Sequence, residues 1–225
     1  MSGAGGARAR ILGRVRRAVG ASEALEAERA AAVSARLSGA GRQVSPVPAQ
    51  ARREGAARVA QFEAKLAEAS ATLSRLPSIE ALPGALAEAL RERNLPRAIR
   101  MGEDGAFAAL DWGATEVSRG PGRMEEPATL SRGMLGIAET GTLLLRSGPE
   151  NPVTLTFLGE THFVVVRESE IVGGLEDAMA AARAAGEMPR TLNFVTGPSR
   201  SADIGATLQL GAHGPKALHV FLVEG

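Results

Sequence analysis

The sequence predicts an α/β fold in which a mostly parallel sheet is flanked by helices and preceded by an N-terminal helical extension. Two observations support this prediction. Runs such as "FVVV" and "LHVFLV" are apolar at consecutive positions, as strands covered on both faces require. Between two of the apolar runs lies the alanine-rich segment "GLEDAMAAARAAG", and strands that alternate with helices are joined by parallel crossovers.

Length and composition favour one main domain without a dominant charge. The chain has 225 residues, 44% of them apolar, which is enough for one substantial core. The 26 basic residues are almost balanced by 25 acidic ones. The net charge therefore favours neither a nucleic acid nor a membrane as partner. No apolar stretch approaches the roughly 20 residues that cross a bilayer, and the N-terminus lacks the apolar region of a secretory signal. We therefore expect a cytoplasmic chain without a membrane span.

Residues 1–53 are predicted to form a basic N-terminal helix and a linker. The first 20 positions hold no acidic residue and five arginines: Arg8, Arg10, Arg14, Arg16 and Arg17. Apolar residues recur there at helical spacing, at Ile11, Leu12, Val15 and Val19. This pattern predicts a short amphipathic helix that docks on another surface, although a transit peptide has a similar composition. Residues 38–53 contain glycine and proline without periodicity and predict the linker.

A helical lead-in is predicted over residues 54–94 of an α/β domain that spans residues 54–225. Its first helix has one apolar stripe, formed by Val59, Phe62, Leu66, Ala69 and Leu73. Pro77 is predicted to end this helix. The second helix runs roughly from Leu82 to Arg93, and Asn94 and Pro96 close it.

The sheet is predicted to lie within residues 97–223. The apolar runs predict strands over residues 98–100, 116–118, 134–138, 142–145, 163–166, 191–196 and 218–223. One helix is predicted between them, from about Leu175 to Ala185. Ligands of such sheets bind beyond the carboxyl ends of the strands, and residues 197–203 directly follow a predicted strand.

The segment "TGPSRSADI" is the first candidate for a binding site. Gly197 and Pro198 break the strand, and Ser199 or Ser201 could accept a hydrogen bond from a free N–H group of a following helical turn. The guanidinium of Arg200 could bind a carboxylate or a phosphate beside that turn. The alternative from spacing alone is a helix cap with a solvated arginine.

The segment "GIAETGTLLLRSG" is the second candidate. Gly141 permits a tight turn or a bulge, which would aim Glu139 out of the end of the sheet. A carboxylate held there could act as a base, a nucleophile or a hydrogen-bond acceptor. The alternative is a turn glutamate in water.

The residue types exclude several kinds of site. The chain has no cysteine, so it cannot supply a thiolate zinc site, a thiolate-held iron-sulfur cluster or a cysteine nucleophile. The spacing of its three histidines matches no zinc signature, and neither a P-loop nor a G-x-G-x-x-G motif is present. We therefore predict neither a metal nor a cofactor in this chain.

Four motifs together resemble the LUD domain of the lactate-utilisation protein C family: "GIAETGTLLLRSG", "THFVVV", "TGPSRSADI" and "LGAHGPKALHVFLV". The resemblance covers roughly residues 97–223, in matching order. It implies a fold similar to the NagB/RpiA/CoA-transferase-like superfamily and a role in oxidising L-lactate to pyruvate. It also implies iron-sulfur and cysteine-rich partner proteins, which would hold the clusters that this chain cannot hold.

Three functions follow as hypotheses. In the first, the chain is a subunit of a lactate-oxidising complex that binds a small 2-hydroxy acid or its carboxylate. Glu139 is then the candidate catalytic residue, and Thr140, Ser199, Arg200 and Asp203 are the candidate substrate-binding residues.

In the second hypothesis, the chain is an acyl- or CoA-transferring enzyme with Glu139 as nucleophile, by analogy of fold alone. In the third, it is a non-catalytic scaffold whose basic helix docks on the iron-sulfur partner.

Overall fold

The computed structural model describes residues 4–20, 22–39, 46–124, 126–201, 209–211 and 213–224. The chain divides into two compact units, Met1–Pro46 and Val47–Gly225. The first unit contains helices α1 (Ala4–Ala18) and α2 (Glu23–Leu37). Helix α1 coincides with the predicted amphipathic helix, whereas α2 was not predicted. Ser22 caps α2, since its hydroxyl accepts a hydrogen bond from the backbone N–H of Leu25 at 3.2 Å.

The second unit contains the remaining described elements. Its helices are α3 (Gly55–Glu68), α4 (Leu82–Glu92), α5 (Gly105–Ala108), α6 (Val153–Phe157) and α7 (Leu175–Ala184). Its strands are β1 (Thr72–Leu76), β2 (Ala98–Met101), β3 (Glu116–Arg119), β4 (Ala128–Arg132), β5 (Leu135–Ile137), β6 (Thr142–Arg146), β7 (Thr161–Arg167), β8 (Ile171–Val172), β9 (Leu192–Val195), β10 (Arg200–Ser201), β11 (Gln209–Leu210) and β12 (Ala217–Val223).

Two sheets form the centre of this unit. The larger sheet has six strands in the order β1-β12-β7-β4-β2-β3, and all its pairs are parallel. The smaller sheet has the order β8-β5-β6-β9, with β6 antiparallel to both neighbours. Strands β10 and β11 form a separate antiparallel pair. The predicted α/β fold with a mostly parallel sheet flanked by helices is confirmed.

Apolar side chains join these elements in layers. One face of the six-stranded sheet packs on α4, through Leu82, Leu86 and Leu90. The other face packs on α3 and on β6, whose Leu143 and Leu145 point toward the large sheet. Between those two leucines, Leu144 points the opposite way and packs against Ala178 and Ala182 of α7. This alternation places β6 between two apolar cores, which explains why the three leucines at positions 143–145 are consecutive.

The first helix of the lead-in was predicted to continue to Pro77, and this predicted end is wrong. Helix α3 ends at Glu68, Ser70 takes the left-handed conformation with φ of 62°, and Thr72–Leu76 is strand β1. Leu73 therefore belongs to a strand, although its spacing from Leu66 continues the helical stripe. Strand β4 was missed altogether, because the segment "ATLSR" carries two polar side chains that are buried only by the tertiary fold.

The predicted strands do not all share one sheet. Three of them, observed as β5, β6 and β9, belong to the smaller sheet together with β8. Residues 197–201 follow β9, so they do not leave the carboxyl edge of the parallel sheet as we predicted. Among the described helices, none has the length and apolar composition needed to span a membrane.

Candidate functional site

Gly141 makes the turn between β5 and β6 that carries two of the predicted site residues. Its φ is +66°, and its N–H donates to the carbonyl oxygen of Ile137 at 2.9 Å. A Cβ at this position would lie 2.5 Å from the carbonyl carbon of Lys65 in α3. Only glycine fits both the conformation and the close approach, so the predicted tight turn is confirmed.

Glu139 faces the beginning of α7. Its backbone N–H donates to the carbonyl oxygen of Gly173 at 2.9 Å, and its half-buried carboxylate accepts from the N–H of Leu175 at 3.4 Å. Leu175 is the first residue of α7, where free N–H groups and the helix dipole favour a negative charge. The carboxylate is thus directed at a helix N-terminus rather than at open water.

Thr140 connects this turn to the segment that holds Arg200. Its hydroxyl lies 2.7 Å from that of Thr142, which in turn lies 2.7 Å from the hydroxyl of Thr196. Thr196 immediately precedes Gly197. The structure therefore links the two sequence motifs by a chain of three threonine hydroxyls.

Arg200 is anchored on the end of α3. Its Nη2 donates to the carbonyl oxygen of Ala69 at 2.7 Å. The backbone N–H of Ser199 donates to the carbonyl oxygen of Pro215 at 2.9 Å. Arg200 and Ser201 form strand β10, so no helical turn begins directly after Ser199. A helical turn that begins after Ser201 would lie outside the described residues. Asp203 lies outside the described residues.

The position of Arg200 differs from the predicted one. Ala69 lies three residues before Thr72, the first residue of β1, so Arg200 lies beside the amino-terminal edge of the parallel sheet. The predicted position of residues 197–203 was the carboxyl edge, because the preceding strand was expected to belong to that sheet. The error follows from β9, which belongs to the smaller sheet and pairs antiparallel with β6.

A pocket of about 420 Å³ opens at this amino-terminal edge. Its lining includes two hydroxyl groups, a proline and three cationic side chains: Ser70, Thr72, Pro198, Arg93, Arg200 and Lys216. Arg93 directly follows α4, and Lys216 directly precedes β12. Cationic and hydroxyl donors that converge on one pocket can bind a carboxylate or a phosphate.

His219 lies beside this pocket on β12. Its Nδ1 is 2.7 Å from the hydroxyl of Thr72 and 3.0 Å from Nη2 of Arg93, which donates to it. Burial, together with the positive charge of Arg93, lowers the pKa of His219 to about 4. The imidazole is therefore neutral at pH 7, with its proton on Nε2, because Nδ1 accepts from a guanidinium that never loses its charge.

The structure thus brings Thr140, Ser199 and Arg200 to neighbouring segments and directs Glu139 toward α7. Sequence reasoning missed Thr72, Arg93 and Lys216, which share the pocket with Arg200. The sequence does not indicate that Arg93 belongs to a site, because basic residues are common at helix C-termini.

The fold and the pocket define a layered α/β protein with a cationic site at one sheet edge. A family model described as the LUD domain matches residues 59–223, so the chain belongs to the LUD domain family. The resemblance of the four sequence motifs is confirmed. A solved structure of a DUF162 family protein from Deinococcus radiodurans is similar, with a TM-score of 0.58 and 26% identity, covering 74% of this chain and 96% of that one.

Several curated proteins are similar in sequence. Lactate utilization protein C of Deinococcus radiodurans is 30% identical over 187 residues, which cover 79% of this chain and 84% of that protein. Lactate utilization protein C of Anoxybacillus flavithermus is 34% identical over 118 residues, or 50% of this chain. An uncharacterized protein of Neisseria meningitidis serogroup B is 37% identical over 97 residues, or 43% of this chain. The chain spans about half the length of the last two relatives, 52% and 42%.

Proposed function

We propose that this chain is a component of a cytoplasmic lactate-utilisation system and takes part in oxidising L-lactate to pyruvate. The observation that carries the proposal is the match to Lactate utilization protein C of Deinococcus radiodurans, which covers 79% of this chain and 84% of that protein. The cationic pocket beside Arg200 supports it, because lactate and pyruvate are both carboxylates.

The proposed reaction requires an electron acceptor outside this chain. Oxidation of the lactate hydroxyl to a ketone releases two electrons and two protons. The chain has no cysteine with which to hold an iron-sulfur cluster, so we assign the electrons to an iron-sulfur partner protein of the same system. Within this chain, Arg200 is proposed to bind the carboxylate, with Thr140 and Ser199 on the adjoining segments.

Growth on L-lactate tests the role of Arg200. The host is a bacterium that lacks its own lactate utilization protein C and carries this chain in its place. We expect Arg200→Ala to abolish growth on L-lactate while the protein still folds, because the exposed guanidinium makes one hydrogen bond to Ala69 among the described residues. Arg183→Ala, which removes an exposed arginine from α7, is the matched control and should grow normally. Unchanged growth of Arg200→Ala would reject its assigned role.

The chemical role of Glu139 differs between lactate oxidation and acyl transfer, which is the second candidate function. Its carboxylate follows a strand and precedes a glycine turn, where it could act as a base on the substrate hydroxyl or as a nucleophile on an acyl group. Glu139→Gln keeps an oxygen that can accept from Leu175 and removes the charge. We expect this variant to fold and to lose growth on L-lactate.

Mass spectrometry decides between the two chemistries. The wild-type chain is incubated with an acyl-CoA, and the peptide that contains Glu139 is examined for a thioester adduct. Lactate oxidation predicts no adduct. An adduct present in the wild type and missing in Glu139→Gln would instead favour acyl transfer.

A further inference from the structure

The pocket at the amino-terminal sheet edge is strongly cationic. Arg93, Arg200 and Lys216 line it, and no carboxylate side chain is among the described residues of its lining. Lys216 pairs with Glu160 at 2.6 Å, and this glutamate is not part of the lining. For the two arginines, no ion pair is formed with any residue in the described part of the chain. Such a pocket favours an anionic ligand.

Both arginines have N–H groups that no acceptor in the described part of the chain occupies. A guanidinium carries five N–H donors. Within the described residues, Arg93 uses three, toward the carbonyl oxygen of Ala89, the hydroxyl of Thr72 and Nδ1 of His219. Arg200 uses one, toward the carbonyl oxygen of Ala69. Counted over these residues, each guanidinium has at least two N–H groups without an acceptor.

Arg93 is held in place more firmly than an ordinary surface arginine. Its three hydrogen bonds, each 3.0 Å long, join α4, β1 and β12, and its guanidinium lies 5.6 Å from the centre of the Phe163 ring. His219 is packed edge-on against Phe221, with ring centres 4.6 Å apart. A guanidinium fixed from several sides loses little further conformational freedom when it binds a ligand.

We propose that Arg93 and Arg200 bind the carboxylate of a small 2-hydroxy or 2-oxo acid between them, and that Thr72 and His219 position Arg93 for this contact. The identity of the acid rests on the proposed function, whereas the pair of arginines rests on the pocket itself. Lys216 also lines the pocket, with its charge paired to Glu160.

Direct binding to the purified full-length chain tests this inference. The probes are L-lactate, pyruvate and inorganic phosphate, measured by calorimetry up to about 10 mM. We expect L-lactate or pyruvate to bind, and Arg93→Met and Arg200→Met each to weaken that binding by about tenfold or more. Arg91→Met is the matched control, because it removes an exposed arginine from the same end of α4 without altering this pocket, and it should bind within about twofold of wild type.

The positioning role has its own measurement. Thr72→Val removes one of the groups that hold Arg93 and leaves its charge intact, so it should weaken acid binding by less than Arg93→Met. Arg93→Lys retains the positive charge over Phe163 but loses the planar guanidinium that can donate two hydrogen bonds to one carboxylate. It should therefore bind the acid more weakly than wild type. This variant keeps the test possible if Arg93→Met fails to fold.

Three results would overturn the inference. They are the absence of acid binding by the wild type, unchanged acid binding by both Arg93 variants, and tighter binding of phosphate than of either acid. The growth assay reports separately on the proposed function: acid binding without growth on L-lactate would reject lactate utilisation and retain the two-arginine site. Growth on L-lactate without acid binding would reject the two-arginine site and retain lactate utilisation.

Discussion

At the scale of single residues, two buried histidines on adjacent strands give the protein a predictable response to acid. His162 on β7 is fully buried, its Nε2 lies 3.0 Å from the hydroxyl of Ser131, and burial lowers its pKa to about 3. His219 on β12 is 4% exposed, with a pKa lowered to about 4. Both side chains are neutral parts of the folded core at pH 7.

The free energy of unfolding should therefore fall as the pH decreases from about 6.5 toward 4. In this window the unfolded chain protonates its histidines near pH 6.5, whereas the folded chain does not, so protons favour unfolding. Each histidine contributes a slope of at most about 1.4 kcal/mol per pH unit. Urea unfolding at several pH values measures this dependence.

Variants separate the histidines from the carboxylates that also titrate at low pH. His162→Gln should reduce the pH dependence of the free energy of unfolding relative to the wild type, by the amount that corresponds to about one bound proton. This holds whatever the effect of the substitution on stability at pH 7. An equal slope in His162→Gln and wild type would contradict the assignment.

At the scale of elements, the end of α3 is the support against which the site segment packs. Gly197 has a φ of +76°, and a Cβ there would overlap the carbonyl oxygen of Ala69. The same carbonyl accepts from Arg200 at 2.7 Å. The close approach of Gly197 and the anchoring of Arg200 thus depend on one peptide group at the helix C-terminus, where carbonyls lack helical partners.

Gly197→Ala should consequently destabilise the protein more than an alanine at another position of positive φ where a side chain has room. Gly186→Ala is the matched control, since Gly186 has a φ of +107° but a Cβ added there would have no atom within 4 Å. We expect the left-handed conformation to cost about 1–2 kcal/mol in both variants, and the overlap with Ala69 to add about 1–3 kcal/mol in Gly197→Ala alone. Chemical denaturation measures both, and equal losses would contradict the close approach.

At the scale of the whole molecule, the basic helix and the candidate site belong to different compact units. Every described residue of the candidate site belongs to the unit Val47–Gly225, whereas α1 belongs to the unit Met1–Pro46. The apolar residues of α1 are exposed, including Ile11 at 63% and Val15 at 52%. An arginine-rich amphipathic helix of this kind suits an acidic partner surface, as the scaffold hypothesis requires.

Under the scaffold hypothesis, deletion of residues 1–20 should weaken capture of the proposed iron-sulfur partner and leave the thermal unfolding of the α/β unit unchanged. Capture by the full chain should also fall at high salt, because exposed charge pairs are screened. A variant with the five arginines of α1 replaced by glutamine tests charge without removing the helix. Undiminished capture by the deletion variant would remove α1 from the interaction.

The sequence by itself determined the α/β class, several of the strands and the turn at Gly141. Strands β7 and β12 could be predicted because a strand buried on both faces must be apolar at consecutive positions, which is a local signal. Helix α7 was predicted within one residue of its observed end, Ala184, because its periodic pattern is also local. Gly141 was identified because a glycine within an apolar strand pattern signals a turn. The four motifs that pointed to the LUD domain are likewise contiguous in the chain.

Only the tertiary structure decided which strands share a sheet and which side chains share the pocket. The end of α3 escaped prediction because serine, rather than the glycine that usually marks a helix end, takes the left-handed conformation there. The N–H groups of Ser70 and Ala71 donate to the carbonyl oxygens of Ala67 and Leu66 and close the helix. Arg93 meets His219 across 126 residues and Arg200 meets Ala69 across 131, so no local pattern records either contact. These pairings depend on the burial of distant apolar faces against each other, and that packing brings the two arginines to one edge of the sheet.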